Sequence, residues 1–122
     1  MATSALVGAG EMGSGEGTRH EGHNDGGIRN VVVGRLRPGV SRQVVEQALA
    51  SIVALQPDGC LDMRVGIDAG LRPGNWGFSI TADFVDEDAY RRYDLEAEHN
   101  RVREELFAPI CEEIARVQLE VP

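Results

Sequence analysis

A chain of 122 residues with 42% hydrophobic and 26% charged side chains has material for one hydrophobic core and none for a second catalytic domain. No apolar run reaches the roughly 18 residues of a membrane span. Twelve arginines against 20 acids leave a net charge of −8, which disfavours nucleic-acid binding because phosphate contacts need a basic surface.

Residues 1–27 hold 8 of the 15 glycines and few large apolar side chains, so they read as a flexible tail preceding a domain over 28–122. The N-terminus lacks the basic and apolar regions of a secretory signal. Cys60 and Cys111 allow one disulfide at most and read as reduced thiols, so the expected location is cytoplasmic.

Residues 28–37, IRNVVVGRLR, are β-branched and nearly alternating, and Pro38-Gly39 closes them as the first strand. Ser41 then caps a helix whose Val44, Val45, Ala48, Leu49, Ile52 and Leu55 recur on one face until Pro57-Asp58-Gly59. Leu61–Ile67 and Trp76–Phe84 each alternate and predict two antiparallel strands joined by a Gly/Pro-rich loop. Asp86 caps a short helix through Tyr93, with Glu87 and Asp88 in its first turn. A further helix is expected from about Glu98 to Phe107, carrying His99, Val102 and Leu106 on one face, and ARVQLEV over Ala115–Val121 alternates again as a fourth strand.

The order is β-α-β-β-α-β with its second helical element broken in two, a ferredoxin-like α+β fold with helices on one face of a four-stranded antiparallel sheet. On the first strand both faces carry apolar residues: Asn30, Val32, Gly34 and Leu36 on one, Val31, Val33, Arg35 and Arg37 on the other. The face without helices then needs a partner, and two copies closing sheet to sheet supply it, so an isologous homodimer is expected. Arg35 and Asp83 are both candidates to face that inner surface.

Four groups of residues suggest chemistry. Gly8-Ala9-Gly10-Glu11-Met12-Gly13 matches GxGxxG, but no strand-helix context follows to cradle a pyrophosphate. His20 and His23 stand three apart among carboxylates, without a helix or turn to fix metal geometry. Asp86-Glu87-Asp88 could attract a divalent cation, yet capping and dipole compensation account for it. No metal site or cofactor is expected.

Tyr93 and His99 are more informative. Six residues apart in one helix they would diverge, but a break at 94–97 could turn both onto the sheet. A phenol and an imidazole converging in a pocket supply a donor for a developing enolate and a base near pKa 6.5 for the proton beside a carbonyl. The alternative is a packed tyrosine and a histidine that caps a helix or lies in solvent.

The segment Ile28–Val121 resembles the stress-responsive A/B-barrel (Dabb) family. The resemblance rests on the first strand followed by Arg37-Pro38-Gly39-Val40-Ser41, on Val65-Gly66, on Ala82-Asp83-Phe84, and above all on Tyr93-Asp94-Leu95-Glu96-Ala97-Glu98-His99. It implies a dimeric α/β barrel. The family includes a plant polyketide cyclase that closes a poly-β-ketone by aldol condensation without metal or organic cofactor, and its catalytic tyrosine and histidine match Tyr93 and His99 in spacing. In that reading His99 removes a proton between two carbonyls and Tyr93 stabilises the enolate oxygen.

The resemblance also implies a pocket between sheet and helices, lined by Val32, Gly34, Phe78, Ile80 and Ala82, in which the glycine at position 34 would leave room. The family often has a histidine where this chain has Asn30, a residue that can bind substrate but cannot titrate, and a proline where it has Ala97. The expected function is a cofactor-independent cyclase or lyase-like enzyme acting on a small carbonyl-bearing, polyketide-like metabolite. A non-catalytic dimeric stress or small-molecule-binding protein is the alternative, and a cofactor-free oxygenase taking a phenolic, quinol-type ligand is a third reading.

Overall fold

Alternation of apolar and polar side chains sorts the strands into two faces, and helices pack on one of them. The computed structural model describes residues 26–122; the glycine motif at 8–13 and the histidine pair at 20 and 23 lie outside the described residues. The elements are β1 (Gly27–Leu36), α1 (Arg42–Val53), β2 (Cys60–Ile67), β3 (Phe78–Phe84), α2 (Glu87–Leu95), α3 (Ala97–Val102) and β4 (Cys111–Val121). A π-helical turn over Arg103–Phe107 and a 3-10 turn over Ala108–Ile110 join α3 to β4. All strand pairs are antiparallel in the order β2-β3-β1-β4, the ferredoxin-like arrangement expected.

The core lies between the helices and the face of β1 and β3 that carries Ile28, Asn30, Phe78, Ile80, Ala82 and Phe84, all buried. Ser41 Oγ accepts from Val44 N at 3.2 Å to start α1, and that helix buries Val45, Ala48, Leu49 and Ile52. Asp86 Oδ1 accepts from Ala89 N at 2.8 Å to start α2, so this carboxylate is a cap. Opposite Phe78 in the register stands Gly34, where a Cβ would collide with the Phe78 ring.

Several boundaries differ from the sequence expectation: β2 starts at Cys60, β3 at Phe78, and α2 extends to Leu95. β1 begins at Gly27, one residue inside the expected tail. β4 begins at Cys111 and not at Ala115, because β1 continues to pair with it through Arg35↔Glu113 and Leu36↔Cys111 across an irregular register. That irregularity hides the alternation of Cys111-Glu112-Glu113. The helix expected over 98–107 is α3 followed by the π turn, in which Ala108 N donates to Arg103 O.

The opposite face of the sheet presents Val31, Val33, Ala115, Val117 and Leu119, in register with one another or with the flanking charges. Val117 and Leu119 are 50% and 45% exposed. Arg35 and Asp83 share this face but do not pair: Asp83 takes Arg29 in a bidentate bond of 2.7 and 2.9 Å, and Arg35 takes Glu113 at 3.1 Å. Among the described residues no helix is long and apolar enough to cross a membrane.

Candidate functional site

Six residues along one continuous helix would place two side chains about 240° apart around its axis. Tyr93 and His99 nevertheless stack, with ring centroids 4.0 Å apart and planes inclined by 31°. The cause is a break at Glu96, which adopts an extended backbone between α2 and α3. Its N–H donates to Tyr93 O at 3.1 Å, while its Oε1 accepts from His99 N at 2.8 Å and caps α3. Asn100 Nδ2 donates to Asp94 O at 3.2 Å across the same corner. The corner folds His99 back over the tyrosine.

Tyr93 follows Ala89 by four residues on the buried face of α2, and its ring lies 5.1 Å from that of Phe84 on β3. Its hydroxyl has no hydrogen-bond partner among the described residues. Burial raises the phenol's pKa well above its usual value, with smaller contributions from Cys60 and Tyr90, so the group is a neutral donor at pH 7. Burial also lowers the His99 pKa, helped by the cationic Arg103 and opposed by Asp94, the Tyr93 carbonyl and Glu96. His99 is therefore a neutral imidazole at pH 7. Its Nδ1 is buried without a hydrogen-bond partner.

Both rings line a cavity of about 80 Å³ between the sheet and the helices. Asn30 and Val32 of β1, Phe78 and Ile80 of β3, and Ile114 and Arg116 of β4 form its sheet side. Ile52, Tyr90, Asp94, Arg103 and Phe107 complete the helical side with Tyr93 and His99. Asn30 Oδ1 accepts from Gln118 Nε2 at 2.8 Å, tying the β1 amide to the edge strand.

The cavity thus gathers Tyr93, His99, Asn30, Val32, Phe78 and Ile80 from the residues singled out in the sequence. Gly34 and Ala82 do not line it. The space at Gly34 is taken up by the Phe78 ring, so the missing side chain serves packing and not substrate room, and Ala82 is buried with Phe84, Ala89 and Tyr93 in a separate cluster. Among the described residues no three His, Cys, Asp or Glu side chains are grouped to hold a metal ion.

Residues 28–121 match the family model of the Stress responsive A/B Barrel Domain, Dabb. The chain belongs to the Dabb family. A dimeric ferredoxin-like protein of unknown function from Thermobifida fusca YX is 26% identical and superposes with a TM-score of 0.72 over 85% of this chain and 100% of its own. The hydroxynitrile lyase of Passiflora edulis is 18% identical, with a TM-score of 0.70 over 80% of this chain and 95% of its own. A Dabb protein with a ferredoxin-like fold from Mesorhizobium loti is 22% identical, with a TM-score of 0.65 over 80% and 97%. Comparison with curated proteins gives no match.

The cavity of this Dabb chain also includes Tyr90, Asp94, Arg103 and Arg116, which sequence reasoning did not single out. Arg116 was within reach of it: in ARVQLEV the polar set Arg116, Gln118 and Glu120 shares one face, and the register puts that face beside Asn30 and Val32. Arg103 had no such signal, since its position depends on where the α-helix widens into the π turn.

Proposed function

We propose that the cavity catalyses cofactor-independent proton transfer at a carbon beside a carbonyl, as a cyclase- or lyase-like enzyme acting on a small carbonyl-bearing, polyketide-like metabolite. The stacked pair of a neutral phenol and a neutral imidazole at one cavity carries this reading. The Tyr93 carbonyl acts on the His99 ring in the direction that favours its protonated form, which supports the imidazole as the group that takes up a proton at the cavity. One nitrogen of the neutral ring takes the proton from carbon, the C–H electron pair becomes an enolate, and the Tyr93 hydroxyl donates a hydrogen bond to the enolate oxygen. In a cyclase the enolate carbon attacks a second carbonyl of the same molecule, and the imidazolium returns its proton to the alkoxide formed. Base and donor are both protein side chains, so the scheme uses no cofactor.

The cavity is smaller than the roughly 150 Å³ that accommodates benzene in an engineered protein core. Only the reacting end of a polyketide-like chain would enter it, with the rest at the mouth. The same small volume favours a second reading, a non-catalytic small-molecule-binding or stress-responsive protein. A homodimer joined through the uncovered sheet face belongs to the proposal, supported by related structures described as dimeric. So does a cytoplasmic location, supported by the two free thiols of Cys60 and Cys111.

Exchange of the α-protons of small β-diketones and β-keto esters into deuterated water, followed by NMR, tests the chemistry. The wild type should accelerate exchange, and His99→Ala should lose about 10²–10⁴-fold of that acceleration with its melting temperature near wild type. Acceleration unchanged in His99→Ala, or absent from the wild type, rejects the catalytic reading and leaves the binding protein.

A further inference from the structure

In a chain of net charge −8, the cavity boundary has the opposite sign: two guanidinium groups, Arg103 and Arg116, against one carboxylate, Asp94. Six other arginines, at positions 29, 35, 42, 64, 91 and 101, are already held in ion pairs. Of the arginines without an ion pair among the described residues, at positions 37, 72, 92, 103 and 116, Arg103 and Arg116 line the cavity. Among the described residues Arg103 donates to the neutral Asn100 Oδ1, at 2.7 Å, and the Arg116 side chain has no partner.

They approach from opposite walls, Arg116 from the helix-facing side of β4 and Arg103 from the π turn after α3. Both are exposed enough to reach a ligand that extends out of the cavity. Each also acts electrostatically on a ring group of the cavity: Arg103 opposes protonation of His99, and Arg116 partly offsets the rise of the Tyr90 phenol's pKa.

We infer that the substrate is an oxo acid, its ketone seated against Tyr93 and His99 and its carboxylate held at the cavity mouth by Arg103 and Arg116. Guanidinium groups suit this task because their planar donors match a carboxylate with two parallel bonds. They also suit the chemistry, since an enolate formed in a molecule that already bears a carboxylate carries a second negative charge, which nearby cations stabilise. The assignment rests on the proposed proton transfer for the role of the ketone, while the anion-binding part stands on the two arginines alone.

NMR titration of the full chain with acetoacetate and with its neutral methyl ester separates the two. The wild type should bind the acid at least about tenfold more tightly than the ester, the contribution expected of one charge-assisted contact. Arg103→Gln and Arg116→Gln should each reduce that preference, the double variant should abolish it, and rising salt should weaken acid binding alone. Equal binding of acid and ester overturns the inference, as does a preference that survives the double substitution or an absence of saturable shifts with acetoacetate. His99→Ala keeps the failures apart: arginine-dependent acid binding without His99-dependent exchange retains the anion site and rejects the catalysis. His99-dependent exchange of the ester, with no preference for the acid, does the reverse.

Discussion

Burial acts on Tyr93 and His99 in opposite senses and leaves both uncharged, which is the condition a donor and a base must meet together at neutral pH. The rate of α-proton exchange should therefore rise with pH along a single limb whose apparent pKa lies below the ordinary 6.5 of histidine, and it should then stay flat through pH 8. A limb centred above 6.5 would contradict the burial argument. The same shift has a stability consequence. Because the folded-state pKa of His99 is lowered, the unfolded chain binds the proton more readily between that value and 6.5. The contribution to stability is then complete above pH 6.5 and is lost as pH falls through that window. Urea midpoints measured from about pH 7 to pH 5 should fall more steeply for wild type than for His99→Gln; parallel curves would show that His99 titrates normally. Sequence chemistry reached these two residues because a phenol and an imidazole near a helix break are few in so short a chain. It did not reach Arg103 and Arg116, whose places at the cavity depend on strand register and on a π turn.

Most elements were legible because each carries its own local cause: Ser41 and Asp86 as caps, the buried stripe of α1, and the alternation of β2 and β3. The start of β4 and the π turn were not, since one is set by pairing with β1 across an irregular register and the other by which carbonyl Ala108 N meets. Gly34 shows how an element can be read correctly and its purpose misassigned. The strand alternation places it on the cavity side of the sheet, where a missing side chain suggests room for substrate. The register instead sets it opposite Phe78, whose ring occupies the space a Cβ would need and also packs against Phe107 at 5.5 Å between centroids. Gly34→Ala should accordingly displace that ring and cost about 1–3 kcal/mol, the usual penalty for overpacking a core. Thermal unfolding would register it as a lowered melting temperature; a variant as stable as wild type would mean that Phe78 has another place to go.

At the scale of the whole molecule, β4 has its faces reversed relative to the monomer's own core. Its apolar residues Ala115, Val117 and Leu119 lie on the uncovered side of the sheet, while Arg116 and Gln118 lie on the side of the helices. A monomer gains nothing from that orientation, since the apolar set stays in water; a second sheet closing on it gains the burial of all three together with Val31 and Val33. The charges on this face are matched within the chain, Arg29 by Asp83 and Arg35 by Glu113, so the surface that must approach its copy has most of its charge compensated despite the chain's −8. In the proposed dimer the polar face of the same strand supplies Arg116 to the cavity, so one alternating segment would serve the interface and the site at once. Val31 and Val117 stand opposite each other near the middle of the patch, and in an isologous interface a substitution at either occurs twice. Sedimentation of the wild type should give a dimer at micromolar concentration. Val117→Glu, which places two desolvated carboxylates in the joint, should shift it to monomer with the fold retained by circular dichroism. A monomeric wild type, or a dimer unaffected by Val117→Glu, would place the interface elsewhere and leave the reversed faces of β4 without this explanation.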